Sequence, residues 1–511
     1  MKKKAFFYNA LVMAAGALLL RVTNIGYRVY IADKIGAAGM GLYQLILSVF
    51  MLAITLSTSG ISLSVTRLVA ESLGCGKPGR AKSAVRKCIL WGLMFSITAA
   101  AALYFLSDWI AAQLFNDMRT SLPLKLLAPG LPFMAVSSCL KGYFIARRSA
   151  FKSTSGDLLE QIVTIGIVVG LFTIFAPDGL ESACCAIMLG STLGEMVSCL
   201  YNYILYRLSA RKCFTGCESD GKGVFRKIVH IALPSMAGYT ARNILSAIEN
   251  ILIPRGLKKN GASVETSLSQ YGMIQGMVMP ILYFPSAFLS AFSSLLIPEV
   301  AEANAAGKKQ GISRVTRRSM QLTLLFSFFV TSVFWGFSRE LGMAIYKNEQ
   351  AGAILQILCP LVPLMYLDSI VDSILKGLDQ QVSSLKYNFS DSAIRVVLIY
   401  FLVPVYGVKG YICVLFFSTI FNASLSIHRL IQVSEVRIQV ADWIVKPALS
   451  AALSVFLVLL LDKTAPWIPT LPDWQSAAVQ IALAGFLYYF FLRVSGSFTK
   501  EDVTWAKGIF R

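Results

Sequence analysis

Long apolar blocks constrain this chain more than any other feature of its sequence. The blocks are about twenty residues long, which is the length that an α-helix needs to cross the hydrocarbon core of a bilayer. They recur from one end of the chain to the other, and 56% of the residues are hydrophobic whereas only 14% are charged. We therefore predict an all-α, polytopic membrane protein.

The apolar blocks define about fourteen transmembrane helices. The predicted spans are 6–31, 40–68, 88–107, 124–145, 156–176, 181–206, 228–253, 269–298, 319–338, 352–375, 387–404, 410–428, 443–461 and 474–493. Basic residues are concentrated in alternate connectors, such as those after spans two and four. Because a basic excess marks the cytoplasmic loops, this pattern predicts a multi-pass protein of the cell membrane with both termini in the cytoplasm.

The same rule explains the overall charge of the chain. It contains 47 Lys and Arg against 27 Asp and Glu, which gives a net charge of +20. In a soluble protein such an excess would suggest nucleic-acid binding. In a membrane protein the cytoplasmic loops account for it, so we expect no nucleic-acid partner.

An internal repeat organises the spans. Residues 69–77, after span two, contain Val-Ala-Glu and then Gly-Lys, and residues 300–308, after span eight, contain the same letters 231 positions later. The same offset relates Pro129 of span four to Pro360 of span ten. Because each half has six helices, an even number, we predict parallel repeats related by an axis along the membrane normal.

The repeat divides the chain into two six-helix lobes and a C-terminal pair of helices. The predicted boundaries are 1–206 for the N-terminal lobe, 207–227 for a cytoplasmic linker, 228–432 for the C-terminal lobe, and 433–511 for helices thirteen and fourteen with a cytoplasmic tail. Each lobe supplies half of a cavity, so we expect the protein to act as a monomer.

Charged residues inside the spans are the candidates for a functional site, because a charge in hydrocarbon is costly unless water, a partner or a ligand solvates it. Span one carries Arg21 and Arg28, seven residues apart on one helical face. Span seven carries Arg242 and Glu249 with the same spacing, 221 positions later. Guanidinium groups bind phosphate through paired hydrogen bonds, so these residues predict a diphosphate site. The alternative is neutralisation, with Arg242 paired to Glu249 or Arg21 paired to Glu195.

Acidic residues inside the spans are candidates for ion coupling. They are Glu195 in span six and Asp368 and Asp372 in span ten, and Glu160 in span five is a further charge inside a span. The last two lie one helical turn apart, and the alternative is that they meet a lysine at the end of the helix. Asp391 and Arg395, four residues apart in span eleven, predict a structural ion pair.

No constellation in the sequence indicates catalysis or metal binding. The ten cysteines lack metal-site spacing, and the two histidines, His230 and His428, lie far apart. No Gly-rich phosphate loop follows a strand, and the chain has no room for a nucleotide-binding domain. We therefore expect no enzyme activity, no metal and no cofactor. Any energy must come from an ion gradient, the membrane potential or the gradient of the substrate.

Several short motifs resemble one family of membrane proteins. Residues 21–28 read Arg-Val-Thr-Asn-Ile-Gly-Tyr-Arg, and residues 35–43 contain Ile-Gly and then Gly-Met-Gly-Leu-Tyr. Residues 271–280 contain Tyr-Gly, Gly-Met and Pro, and residues 298–302 read Pro-Glu-Val-Ala-Glu. These motifs resemble the stage V sporulation protein B group, which belongs to the polysaccharide-biosynthesis branch of the multidrug, oligosaccharidyl-lipid and polysaccharide exporter superfamily. The resemblance covers essentially the whole chain.

The resemblance implies two lobes around a cavity that opens alternately to either side of the membrane. It also implies a polyprenyl-diphosphate-linked saccharide as cargo, such as a lipid II-like precursor of peptidoglycan. Related lipid II flippases hold the diphosphate with arginines, to which Arg21, Arg28 and Arg242 are the nearest matches. Those flippases carry a further arginine in span two, where this chain has no basic residue before Arg67. Their last two helices form a groove for the lipid tail.

Three functions follow as hypotheses. The first is a flippase that moves the lipid-linked saccharide by alternating access, with that substrate and membrane lipid as its partners and a role in sporulation or vegetative growth. The second is a cation-coupled antiporter of drugs or metabolites from the same superfamily, which a basic first helix disfavours. The third is a scaffold for envelope assembly that transports nothing.

Overall fold

The computed structural model describes residues 2–147, 149–175, 179–213, 223–436, 439–464 and 473–497. Within these ranges the chain forms helices and no strand. The α-helices are α1 (Lys2–Thr58), α2 (Ile61–Gly74), α3 (Pro78–Trp109), α4 (Ser121–Leu127), α5 (Gly130–Ala146), α6 (Ala150–Phe175), α7 (Leu180–Cys213), α8 (Val224–Lys259), α9 (Val264–Tyr271), α10 (Met279–Tyr283), α11 (Ser286–Ala305), α12 (Lys309–Gly336), α13 (Ser338–Tyr346), α14 (Glu349–Leu358), α15 (Val362–Gly377), α16 (Gln381–Ser434), α17 (Lys446–Thr464) and α18 (Asp473–Val494). The predicted all-α fold is confirmed.

Two of these helices are too long to cross a bilayer only once. Helix α1 has 57 residues and α16 has 54. At a rise of about 1.5 Å per residue, each is more than twice as long as the roughly 30 Å of a hydrocarbon core. Each is broken at a glycine with a positive φ, which is 66° at Gly36 in α1 and 58° at Gly407 in α16. Because glycine has no Cβ, the chain can change direction there, and each long helix supplies two spans.

Helix α8 is long but less apolar than the helices that can cross a membrane. In the described part of the chain, nine helices are long and apolar enough to cross a membrane, or ten if α4 and α5, bent by 43°, count as one span. Helix α8 is not among the nine, although it has 36 residues, because it carries charged residues that include Arg242, Glu249 and Arg255. It corresponds to predicted span seven, so the most polar predicted span is also a long helix.

Predicted span two is interrupted, which corrects the single helix expected at 40–68. Helix α1 ends and α2 begins on either side of Gly60, whose φ is 75°. This glycine lies so close to α8 that a Cβ would be 2.7 Å from the carbonyl oxygen of Ala232. The interruption therefore results from packing against α8, a tertiary contact that the pattern of apolar residues cannot reveal.

Predicted span eight, expected at 269–298, is also divided. It consists of the end of α9, a π-helical segment (Gly272–Val278), α10 and part of α11. Pro280 lies in the first turn of α10, and Pro285 directly precedes α11. Proline lacks a backbone N–H and is tolerated in a first helical turn, so these two positions divide the helix.

The predicted repeat is confirmed by backbone conformation in each half. Gly76 and Gly307, which are 231 positions apart, have φ angles of 68° and 65°. Asn116 and Lys347, at the same offset, have φ angles of 50° and 51° although their side chains differ. The equivalent prolines also lie at equivalent helix breaks, one between α4 and α5 and the other between α14 and α15.

Contacts divide the chain into two compact units, Met1–Gly272 and Met273–Arg511. Within the first unit, α8 packs against α1, α2 and α3. The sequence assigns α8 to the C-terminal lobe at 228–432, whereas its contacts assign it to the first unit. Helices α7 and α8 also extend into the predicted linker, whose residues 214–222 lie outside the described ranges, as does the tail from residue 498. The predicted lobe boundaries stay predictions.

Glycines from two of the sequence motifs form a close contact within the first unit. A Cβ at Gly272 would lie 2.1 Å from the carbonyl oxygen of Ala37 and 2.3 Å from the backbone nitrogen of Gly41. A Cβ at Gly41 would lie 2.1 Å from the carbonyl oxygen of Leu268. The second half of α1 and the end of α9 can approach this closely only because neither glycine has a side chain.

The last two helices pack within the second unit against α12. A Cβ at Gly336, the last residue of α12, would lie 2.3 Å from Cγ1 of Val455 in α17. The Tyr488 hydroxyl of α18 donates to the carbonyl oxygen of Leu325 in α12 at 2.8 Å. A buried apolar cluster that includes Phe337 joins the three helices. Helices thirteen and fourteen are thus attached through predicted span nine.

The glycine contact between α1 and α9 generates a stability prediction. Gly272→Ala is expected to lower the free energy of unfolding by about 1–3 kcal/mol, because the new Cβ meets backbone atoms that cannot rotate away. Gly26→Ala in α1 is the matched control, since no atom lies within 4 Å of the Cβ that it would add. The thermal unfolding midpoints of both variants in detergent would be compared. Equal midpoints would contradict the contact.

Candidate functional site

The first half of α1 presents two arginines on one face. Arg21 and Arg28 are about two helical turns apart, and both side chains are half-buried. The same stretch of α1 packs along α6, where a Cβ at Gly16 would lie 2.1 Å from Cγ2 of Thr154. The shared face agrees with the expected helical spacing, whereas the diphosphate role of the two residues stays a prediction.

Arg28 forms no ion pair with any carboxylate in the ranges that the structure describes. Its Nε donates to Oδ1 of Asn24 at 3.1 Å, one turn earlier on the same helix. Beyond the break at Gly36, Tyr43 lies near both Arg28 and Tyr27. The Tyr27 hydroxyl is buried and has no hydrogen-bond partner among the described residues. This part of α1 therefore combines a cation with an unused hydrogen-bond donor.

The candidate residues of α8 are not paired with each other. Arg242 is exposed, and it makes no ion pair or hydrogen bond with the described residues. Glu249 is buried at 6% exposure and lies two turns away, about 10 Å along the helix axis. Asn243, next to Arg242, donates its side-chain amide to the Thr55 hydroxyl of α1. The predicted alternative, in which Arg242 and Glu249 neutralise each other, is not formed.

Glu195 belongs to a cluster of four charged side chains, which we call the Lys141 cluster. It consists of Lys141 in α5, Asp157 and Glu160 in α6, and Glu195 in α7. Lys141 Nζ lies 2.5 Å from Oδ1 of Asp157 and 3.5 Å from Oε2 of Glu160. Glu195 is 3% exposed and directly follows Gly194, where a Cβ would lie 3.1 Å from the carbonyl oxygen of Glu160.

The two acidic candidates of α15 have different surroundings. Asp372 pairs with Lys376 at 2.6 Å and accepts a hydrogen bond from the Ser384 hydroxyl. Asp368 accepts a hydrogen bond from the Asn422 amide at 3.0 Å, and its second oxygen, Oδ1, has no partner in the described ranges. The lysine contact that the sequence left as an alternative is therefore formed by Asp372, and Asp368 retains an unused acceptor.

The expected ion pair of span eleven is present in α16. Arg395 Nη2 donates to Oδ2 of Asp391 at 2.5 Å, and the Ser418 hydroxyl donates to Oδ1 of the same carboxylate at 2.7 Å. The Asp391 side chain is only 5% exposed. The two hydrogen bonds satisfy both oxygens of this buried carboxylate, so the pair has a structural explanation.

Sequence reasoning missed two members of the Lys141 cluster. Lys141 stands inside an apolar stretch of predicted span four, and Asp157 stands at the start of predicted span five. The same test that selected the other charges, a charged residue within a predicted span, would have selected both. Their meeting depends on the packing of α5 against α6 and α7, which no local spacing reveals.

Comparison with known proteins places the chain in a family. A family model described as polysaccharide biosynthesis protein matches residues 6–304, which is more than half of the 511 residues. The chain belongs to the polysaccharide biosynthesis protein family. A second model, described as MatE, matches residues 265–401.

Individual proteins that resemble this chain agree with the assignment to this family. Stage V sporulation protein B of Bacillus subtilis (strain 168) is 27% identical over 416 residues, which cover 80% of this chain and 80% of that protein. The solved structure of the lipid II flippase MurJ in an inward closed conformation has a TM-score of 0.68 and 14% identity, and the match covers 95% of this chain and 98% of that one. An inward-facing multidrug resistance MATE family transporter of the MOP superfamily has a TM-score of 0.64 and 13% identity, over 84% of this chain and 100% of that one.

At these identities the solved structures establish the fold. It is the fold of polytopic transporters, as the resemblance implied. The solved structures of similar fold are a lipid II flippase and a multidrug transporter, which agrees with the expectation of a transporter rather than an enzyme.

Two acid–base pairs with the same spacing give a second stability prediction. Asp391→Asn is expected to lower the free energy of unfolding by about 2 kcal/mol, because Arg395 loses its counter-ion, the buried Asp391 carboxylate. Asp372→Asn is expected to cost less than about 1 kcal/mol, because Lys376 is 48% exposed and can be solvated. Thermal unfolding in detergent would rank the two variants. A larger loss for Asp372→Asn would contradict the assignment of Asp391 as structural.

Proposed function

We propose that this protein is a flippase that moves a polyprenyl-diphosphate-linked saccharide, of the lipid II-like class, across the cell membrane by alternating access. The observation that carries the proposal is a pair of arginines in predicted spans, Arg28 and Arg242, that have no carboxylate partner among the described residues. Arg21 lies on the same face of α1 as Arg28 and completes the basic set.

The charge of the proposed cargo fits these arginines. An arginine inside a membrane protein is stable where water, a partner or a ligand solvates its guanidinium group. A diphosphate offers several oxygens to the planar guanidinium fork, which a lone carboxylate does less well. The unpartnered Tyr27 hydroxyl, in the residue before Arg28, would add a neutral donor to the same ligand. Buried Glu249 would then bind a donor group of the substrate.

The comparisons support the class of cargo. The family is named for polysaccharide biosynthesis, one relative is a sporulation protein, and one solved structure of similar fold is a lipid II flippase. The proposal includes action as a monomer, cytoplasmic termini, and coupling of transport to an ion through the acidic candidates Glu195, Asp368 or Asp372.

A second candidate is a cation-coupled drug or metabolite antiporter. The match of residues 265–401 to the MatE model and the similar fold of a multidrug transporter favour it. Against it, Arg28 and Arg242, which have no carboxylate partner among the described residues, would repel the organic cations that such a cavity would have to attract. Drug accumulation in cells that express the protein would distinguish this candidate from a lipid flippase.

Translocation of labelled lipid II by purified protein in vesicles tests the leading proposal. Arg28→Ala is expected to reduce the rate at least about tenfold, because a charge-assisted contact contributes about 1.5–3 kcal/mol. Arg28→Lys keeps the positive charge but loses the planar guanidinium group. Its translocation rate is therefore expected to lie between those of the wild type and Arg28→Ala. Arg339→Ala is the control, since Arg339 is 75% exposed and pairs with Glu349 at 2.8 Å.

Three outcomes would contradict the proposal in different ways. If Arg21→Ala and Arg28→Ala both translocate like the wild type, the arginines do not hold the diphosphate. If the wild type moves no lipid II but exports drugs, the antiporter is correct. If apolar replacements of both arginines support growth and sporulation in a deletion strain, the protein acts as an envelope-assembly scaffold.

A further inference from the structure

Helix α8 ends beside a cleft of about 400 Å³, a volume that includes its open mouth. The cleft lies between the last turns of α8, the start of α9, the second half of α1, and the π-helical segment Ile110–Phe115 that follows α3. Leu268 of α9 lines the cleft, and its carbonyl group lies against Gly41 of α1. The wall that α9 forms is therefore fixed by backbone packing against α1.

Basic side chains exceed acidic ones in this cleft. Among the lining residues, all of which belong to the described ranges, the bases are Arg255 and Lys258 and the acid is Asp117. Both oxygens of Asp117 accept from Arg119, Oδ1 from Nε at 2.9 Å and Oδ2 from Nη2 at 2.6 Å. Glu265, in the first turn of α9, is exposed and does not line the cleft. The two bases therefore have no carboxylate partner in the part of the chain that the structure describes.

Arg255 keeps hydrogen-bond donors that no acceptor in the described ranges uses. Its Nη2 donates to the carbonyl oxygen of Gln113 in the π-helical segment. Its Nε is buried and has no hydrogen-bond partner among the described residues. A neutral carbonyl group orients the guanidinium group without cancelling its charge, and a buried N–H without an acceptor is unfavourable. Arg255 is therefore a positioned cation that still requires an anionic acceptor.

Lys258 adds a second positive charge to the same face of α8, three residues after Arg255. It is exposed, and its ammonium group makes no ion pair or hydrogen bond with the described residues. A phosphate group suits both side chains, because its oxygens accept from guanidinium N–H groups in pairs and its second charge matches the ammonium group. A carboxylate carries only one charge, so it matches this pair of cations less well.

The position of the cleft along α8 separates it from the arginines of the proposed function. Helix α8 begins within the predicted cytoplasmic linker and has 36 residues. At a rise of about 1.5 Å per residue it is longer than the roughly 30 Å of a hydrocarbon core, so its last turn is expected on the outer side. Arg242 precedes Arg255 by thirteen residues, which is about 20 Å along the helix axis. One phosphate group cannot contact both.

We infer that this cleft is a phosphate-binding site on the outer side of the membrane, in which Arg255 and Lys258 hold the phosphate group of a diphosphate or of an anionic lipid. Binding at the cleft does not depend on the proposed function. The use of the site does: in a flippase, the cleft receives the diphosphate of the lipid-linked saccharide after it has crossed the membrane.

Protection of Lys258 from a membrane-impermeant acetylating reagent tests the site directly. The purified protein in detergent is labelled with and without inorganic pyrophosphate, and fragment mass spectrometry measures acetylation at each lysine. Pyrophosphate is expected to slow acetylation of Lys258 but not of Lys259, which is adjacent and exposed but does not line the cleft. Arg255→Gln is expected to raise the pyrophosphate concentration for half-protection at least about tenfold, because a charge-assisted contact is lost. Arg28→Ala is expected to keep the protection.

The same labelling in nanodiscs distinguishes the two sources of the phosphate group. If Lys258 is protected in phosphatidylglycerol without pyrophosphate, but not in phosphatidylcholine, the ligand is an anionic lipid headgroup. If Lys258 reacts equally in both lipids and pyrophosphate protects it in both, the ligand is a diphosphate. On intact cells that express the protein, the reagent is expected to reach Lys258 from outside.

The outcomes separate the cleft from the proposed cargo. The phosphate site is overturned if neither pyrophosphate nor phosphatidylglycerol protects Lys258, if Lys259 is protected equally, or if Arg255→Gln leaves the protection unchanged. Loss of protection in Arg28→Ala would place the ligand at the arginines of α1 and overturn a separate site. Labelling of Lys258 only in permeabilised cells would overturn the outer location. A protein that shows the protection but moves no lipid II would overturn only the use of the site in a flippase.

Discussion

The cost of an unsolvated charge in hydrocarbon governs this structure. That cost is several kcal/mol, so each charged side chain within a span needs water, a counter-ion or a ligand. Asp391 accepts hydrogen bonds from Arg395 and Ser418, so both of its carboxylate oxygens have a donor. Arg28 and Arg242 have no carboxylate in the described ranges. The difference separates charges that stabilise the fold from charges that remain available for binding.

Glycine contacts determine which charges can meet. The backbones of α1 and α9 touch at Gly41 and Gly272, and those of α6 and α7 touch at Gly194, where a side chain would collide with its neighbours. Helices in lipid gain little from burying apolar surface, so close packing of small residues is a main source of their association. In this protein the same close packing brings the backbone of Glu160 against Gly194, the residue before Glu195.

Sequence patterns predicted what is local or periodic. The helical type of the fold, the repeat, and the spacing of Arg21 and Arg28 follow from apolar blocks and helical geometry. The break at Gly60 was not predicted, because it results from contact with α8. The Lys141 cluster was not predicted either, because its members lie on three helices. Asn116 and Lys347 differ in side chain but both have a positive φ angle. Their shared conformation follows from their equivalent positions in the repeat and not from their residue types.

The arginines of α1 and the Lys141 cluster belong to one compact unit. Helix α1 carries Arg21 and Arg28, and it lies along α6, where the Gln161 side chain reaches the α1 backbone. Asp157 and Glu160 stand on α6 within the two turns before Gln161. A basic set on α1 and an acidic set on α6 therefore lie on two helices that pack against each other, and each set needs water, a counter-ion or a ligand for its own charges.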